Sequence, residues 1–96
     1  MNEPTLRVLL VDDEPLARAR ARRMLGECPG VEVVGEAGSA AEARARIATT
    51  RPDLLMLDVQ MPGEDGFALL ASLDPRPAVV FVTAYDQYAV RAFEEN

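Results

Sequence analysis

The chain contains no histidine and no tryptophan, has one cysteine, and only 5% of its 96 residues are aromatic. Without histidine there is no Ser-His-Asp catalysis, no imidazole metal ligand and no phosphohistidine within this polypeptide, which leaves the chemistry to carboxylates. One thiol, Cys28, closes no internal disulfide and builds no multi-thiolate metal site. A reducing compartment is therefore expected, with Cys28 read as a small buried residue near a helix end. No apolar run reaches the length of a membrane span, and Met1-Asn2-Glu3-Pro4 lacks the basic and apolar regions of a signal peptide, so the expectation is a cytoplasmic protein without membrane contact. A broad basic surface is missing too. The formal net charge is −6, which argues against this segment itself gripping nucleic acid.

What is present is a globular core of Leu, Val and Ala, with 49% hydrophobic residues overall. The length allows one domain, 1–96, near the lower limit for covering both faces of a sheet. Leu6–Val11 is an apolar run that leads directly into Asp12-Asp13-Glu14-Pro15. Pro15 suits a first helical position, and Ala17, Ala21, Met24, Leu25 and Cys28 then repeat at helical spacing, with Arg18, Arg22 and Arg23 expected to point away. Residues 31–36 alternate at their start, as an edge strand does. Ser39 and Glu42 make a capping box for a helix whose stripe is Ala40, Ala43 and Ile47.

Residues 54–57 are four consecutive apolar residues between Pro52 and Pro62-Gly63, too few for a buried helix and suited to a strand buried on both faces. Residues 67–73 read as a short helix, and Ala78–Val82 as a fourth strand. Asp86 is placed to cap a last helix bearing Tyr88, Ala92 and Phe93. Alternation of this kind predicts an α/β fold, a doubly wound parallel sheet with right-handed crossovers.

Asp12 and Asp13 end one strand and Asp58 ends another. If the two strands are neighbours, three carboxylates converge, which is unfavourable unless a proton or a cation is taken up. Oxygen ligands without Cys or His favour a hard ion, and Mg²⁺ is the natural candidate. A carboxylate beside Mg²⁺ is suited to attack a phosphoryl group, which makes Asp58 the expected phosphoacceptor. Each residue also has a plainer explanation. Asp13 and Glu14 suit any helix N-terminus, Asp58 and Asp65-Gly66 suit turns, and Thr83 suits a strand.

Together, Val11-Asp12-Asp13-Glu14-Pro15, Leu57-Asp58-Val59-Gln60-Met61-Pro62-Gly63 with Asp65-Gly66, and Val82-Thr83-Ala84 resemble the receiver domain of two-component response regulators over nearly the whole chain. The resemblance implies a flavodoxin-like strand order of 2-1-3-4. It implies that Asp58 takes phosphate from the histidine of a sensor histidine kinase, with Asp12, Asp13, Asp58 and the main-chain carbonyl of Gln60 holding Mg²⁺. Thr83 would supply the hydroxyl that moves onto the phosphoryl group.

Residues 83–88 and 91–94 are most similar to receivers preceding a LytTR-type DNA-binding domain, which implies transcription regulation by an output domain outside this chain. The family's fifth strand and fifth helix, with its Lys-Pro, are missing here, and the sequence has no lysine. That strand order then leaves Ala78–Val82 at the sheet edge, and a homodimer through the last strand and last helix is expected. The module is expected to accept phosphate rather than turn over substrate. Two alternatives remain: a degenerate receiver that only binds partners, and an aspartyl-phosphate phosphatase or phosphotransferase. Against the second, Gln60 stands where such enzymes resemble Asp-x-Asp.

Overall fold

The computed structural model describes residues 5–82. Four strands and three helices alternate: β1 (Leu6–Val11), α1 (Pro15–Gly26), β2 (Val31–Ala37), α2 (Ala40–Thr50), β3 (Leu54–Asp58), α3 (Gly66–Ala71) and β4 (Ala78–Val82). All neighbouring strands are parallel, in the order β2-β1-β3-β4. The α/β class and strand order are those expected. The expected last helix, and Thr83, lie outside the described residues.

Local chemistry explains where the helices start. Pro15 opens α1, where its missing N–H costs nothing. Ser39 Oγ accepts from the Glu42 N–H at 3.1 Å, while Glu42 Oε1 accepts from the Gly38 N–H at 2.7 Å, one residue earlier than the usual reciprocal bond. The end of α2 is less legible. Arg51 adopts a left-handed conformation, φ 47°, usually taken by glycine, and its N–H bonds the Ile47 carbonyl before Pro52 turns the chain into β3.

The core lies mainly on one side of the sheet. Leu9, Val11, Leu55 and Leu57 pack with Ala40 and Ala43 of α2, Leu69 and Leu70 of α3, and Met61. Burying each of the fully enclosed leucines stabilises the fold by about 2 kcal/mol. On the other side Val8 and Leu10 are buried, but α1 contributes no fully buried residue. Leu54 and Met56 are only half-buried, so β3 is closed on one face rather than two.

The reason is the narrow inward line of α1. Ala17, Ala21 and Leu25, four residues apart, are half-buried, whereas Met24 and Cys28 are rotated out to solvent. Cys28 is thus exposed, not the buried small residue expected, because α1 ends at Gly26 before reaching it. Arg18 corrects the expectation in the other direction. It turns inward, its side chain 19% exposed, because Glu36 of β2 and the Asp12 carbonyl offer it acceptors.

Candidate metal centre

β1 and β3 are hydrogen-bonded neighbours with Val11 opposite Leu57. The residue that follows each of these two is an aspartate at the carboxyl end of the sheet, Asp12 just past β1 and Asp58 at the end of β3, where open α/β sheets bind ligands. Asp12, Asp13 and Asp58 place carboxylate oxygens within 4.8 Å of one another, and all three residues are half-buried. The site residues read from the sequence on these two strands are thus brought together.

Each carboxylate has a definite setting. Asp12 Oδ1 accepts from the Glu14 N–H at 2.9 Å, so Asp12 satisfies one of the free donors at the start of α1. Glu14 occupies the N-cap position without a side-chain cap bond, and the first turn of α1 contains no acid. Asp13 instead turns its carboxylate into the cluster with Asp12 and Asp58. The plain explanation of Asp13 as a helix-start charge is therefore incomplete. Asp58 Oδ1 accepts from the Gln60 N–H at 3.1 Å.

Burial raises the Asp58 pKa from 3.8 to about 6. The Gln60 N–H opposes that shift, and the neighbouring charges of Asp12 and Asp13 add to it. A cation at this place would relieve the same repulsion that the proton relieves.

The loop after Asp58 is pinned on several sides. Met61 is buried in the core. The Gly66 N–H bonds the Val59 carbonyl at 3.1 Å. Asp65 caps α3, its Oδ1 accepting from the Ala68 N–H at 2.8 Å, so the turn reading of this aspartate becomes a helix start. Gly63 takes a positive φ of 79°, as turn chemistry requires. Arg44 of α2 forks onto the Glu64 carboxylate and donates to Ser72 Oγ at 2.9 Å, tying the loop to two helices.

Beside the centre, a groove of about 1080 Å³ runs past Gln60, Leu16 and Met56. Gln60 is therefore at the site, with its N–H turned to Asp58. Thr83 is outside the described residues, although its predecessor Val82 pairs with Asp58 across β3 and β4. Sequence reasoning missed Arg18, the Arg44–Glu64 pair and the close approach at Gly66. The signal for the two arginines was weak, since arginines on amphipathic helices usually face solvent.

The chain belongs to the response regulator receiver domain family, whose model matches residues 8–96. It is 48% identical over 93 residues to the transcriptional regulatory protein BtsR of Escherichia coli K12, covering 95% of this chain and 39% of that protein. The chain thus spans about two fifths of the length of the curated relatives it matches.

Among solved structures, the signal receiver domain of the putative response regulator NarL from Mycobacterium tuberculosis superimposes with a TM-score of 0.80 at 34% identity. That match covers 98% of this chain and 80% of NarL's. The complex of the CheA3 P1 domain with CheY6 from R. sphaeroides matches with a TM-score of 0.79 at 28% identity, covering 96% and 77% of the two chains. Among the described residues, no helix is long and apolar enough to cross a membrane.

Proposed function

We propose that this receiver domain accepts a phosphoryl group on Asp58 from the phosphohistidine of a partner histidine kinase, in a Mg²⁺-dependent transfer. The observation that carries the reading is the convergence of Asp12, Asp13 and Asp58, with oxygens within 4.8 Å. These residues fit a hard divalent cation, since they offer only oxygen, are half-buried and repel one another when ionised. Asp12, Asp13, Asp58 and the Gln60 carbonyl would hold it. When bound, Mg²⁺ supplies charge neutralisation for the phosphoryl oxygens.

The remaining steps belong to the chain. An Asp58 oxygen forms the P–O bond as the P–N bond to the kinase imidazole breaks. The Gln60 N–H holds the other Asp58 oxygen in place, which orients the attack. With an aspartate pKa of about 6, the group is mostly ionised near neutral pH and available as a nucleophile. Thr83 is assigned the hydroxyl that meets the transferred phosphoryl group.

The domain is the recipient of one transfer and not a turnover catalyst, and its phosphorylation regulates an output domain outside this chain. The name of BtsR as a transcriptional regulatory protein supports transcription as that output. Residues 83–88 and 91–94 support the narrower placement beside LytTR-type regulators. A histidine kinase partner agrees with the CheA3–CheY6 complex, and a cytoplasmic location follows from such a partnership. Incubation with a small acyl phosphate, with and without Mg²⁺, tests the reading. Incorporation of one phosphoryl group only when Mg²⁺ is present is the expected result.

A further inference from the structure

Arg18 reaches the acidic centre from behind. Its Nη1 donates to the Asp12 main-chain carbonyl at 2.5 Å, and its Nε donates to Glu36 Oε1 at 3.0 Å. Glu36 Oε2 in turn accepts from Arg22 Nε at 2.6 Å. These bonds hold the Glu36 carboxyl group below its ordinary pKa, Arg22 contributing most. The guanidinium therefore sits in a built socket. Gly38 keeps that socket open, since a β-carbon there would stand 3.3 Å from Arg18 Nη1.

We infer that Arg18 is a positioning residue for cation capture, setting the direction of the Asp12 carboxylate by clamping the Asp12 carbonyl. The inference rests on the Mg²⁺ reading of the centre given above. Asp12 is held at three points: its N–H on the Ala37 carbonyl at 3.0 Å, its carbonyl on Arg18, and its Oδ1 on the Glu14 N–H. With both peptide groups anchored, rotation of the Asp12 main chain is blocked, and its carboxylate meets Asp13 and Asp58 in one orientation. Removing the clamp frees the peptide between Asp12 and Asp13, which disturbs two of the three carboxylates together.

Charge and position predict opposite signs. A guanidinium near a divalent cation repels it, so if charge were the whole role of Arg18, deleting that charge would tighten Mg²⁺ binding. If Arg18 positions Asp12, deletion weakens binding, and loss of a group that orients a metal ligand typically costs about 10–100-fold in affinity.

Isothermal titration with Mg²⁺, alongside thermal unfolding in EDTA, separates the two. Arg18→Gln is expected to bind Mg²⁺ at least about tenfold more weakly than the wild type. Arg22→Gln loses the same charge and the same Glu36 partner but no bond to Asp12, and is expected to bind as tightly as the wild type or tighter.

Arg18→Gln binding as tightly as the wild type, or tighter, would overturn the inference, as would equal weakening by Arg22→Gln. If Arg18→Gln fails to melt cooperatively, Arg18→Met, which keeps an unbranched stem and removes every donor, takes its place. Weaker binding by that variant supports the inference and unchanged binding overturns it. A wild type that binds no Mg²⁺ would refute the reading of the centre and this inference with it.

Discussion

A β-carbon built on Gly66 would stand 2.8 Å from the main-chain oxygen of Asp58 and 3.1 Å from Leu57 Cγ. The start of α3 is thus pressed against the end of β3 at the residue bearing the candidate nucleophile. The Gly66 φ is not positive, so the requirement for glycine is space and not backbone conformation.

Gly66→Ala is therefore expected to destabilise the protein by about 1–3 kcal/mol, the usual cost of overpacking, because backbone and a fully buried leucine must give way. Gly26→Ala is the control. Nothing lies within 4 Å of its added methyl group, and at the end of α1 it should be neutral or stabilising by about 0.5 kcal/mol. Urea unfolding of both variants checks the contrast, and equal midpoints would remove the argument from packing.

The pH dependence of the metal-free protein has a sign set by Asp58. Its pKa is raised in the folded state, from 3.8 to about 6, so the stability it contributes is complete below about pH 4 and lost as pH rises through about 6. Glu36 and Glu64 act oppositely, their lowered pKa values giving stability that is lost as pH falls. The comparison must therefore be between the wild type and Asp58→Asn. In EDTA, the stability advantage of Asp58→Asn is expected to grow between about pH 4 and 6 and then level off. Melting temperatures across that range measure it, and a constant difference would show that Asp58 is not perturbed by folding.

Among the described residues β4 forms one edge of the sheet, with Val80 46%, Phe81 42% and Val82 38% exposed. An apolar edge strand without Lys or Pro inside it is a template for pairing with another chain. Self-association is expected in light scattering coupled to size-exclusion chromatography. Val80→Lys should shift the population toward monomer without loss of the cooperative melt. A folded wild-type monomer at every concentration would count against the edge as an interface.

Much of this fold could be read from the chain because its punctuation is local. Pro15, Ser39 with Glu42, and the acidic residues after each buried run mark element ends without tertiary information. The convergence of Asp12, Asp13 and Asp58 followed once the strands were taken as neighbours. The reading failed where side chains choose between partners across the fold. Arg18 turns inward because β2 presents Glu36 to it, a pairing of residues 18 apart. Met24 and Cys28 turn outward although their spacing matches that of Ala17 and Ala21, since periodicity shows that a stripe exists but not how wide a face the sheet will cover. Asp65 looked like a turn residue because its capping bond to Ala68 is visible only once α3 is known to begin at Gly66.

The most direct test of the account is the location of phosphate after incubation with a small acyl phosphate and Mg²⁺, read by mass spectrometry of peptides from the wild type and from Asp58→Asn. The account predicts a single phosphoryl group on Asp58, dependent on Mg²⁺ and absent from Asp58→Asn. Phosphate on another residue of the wild type, or undiminished labelling of Asp58→Asn, would contradict it.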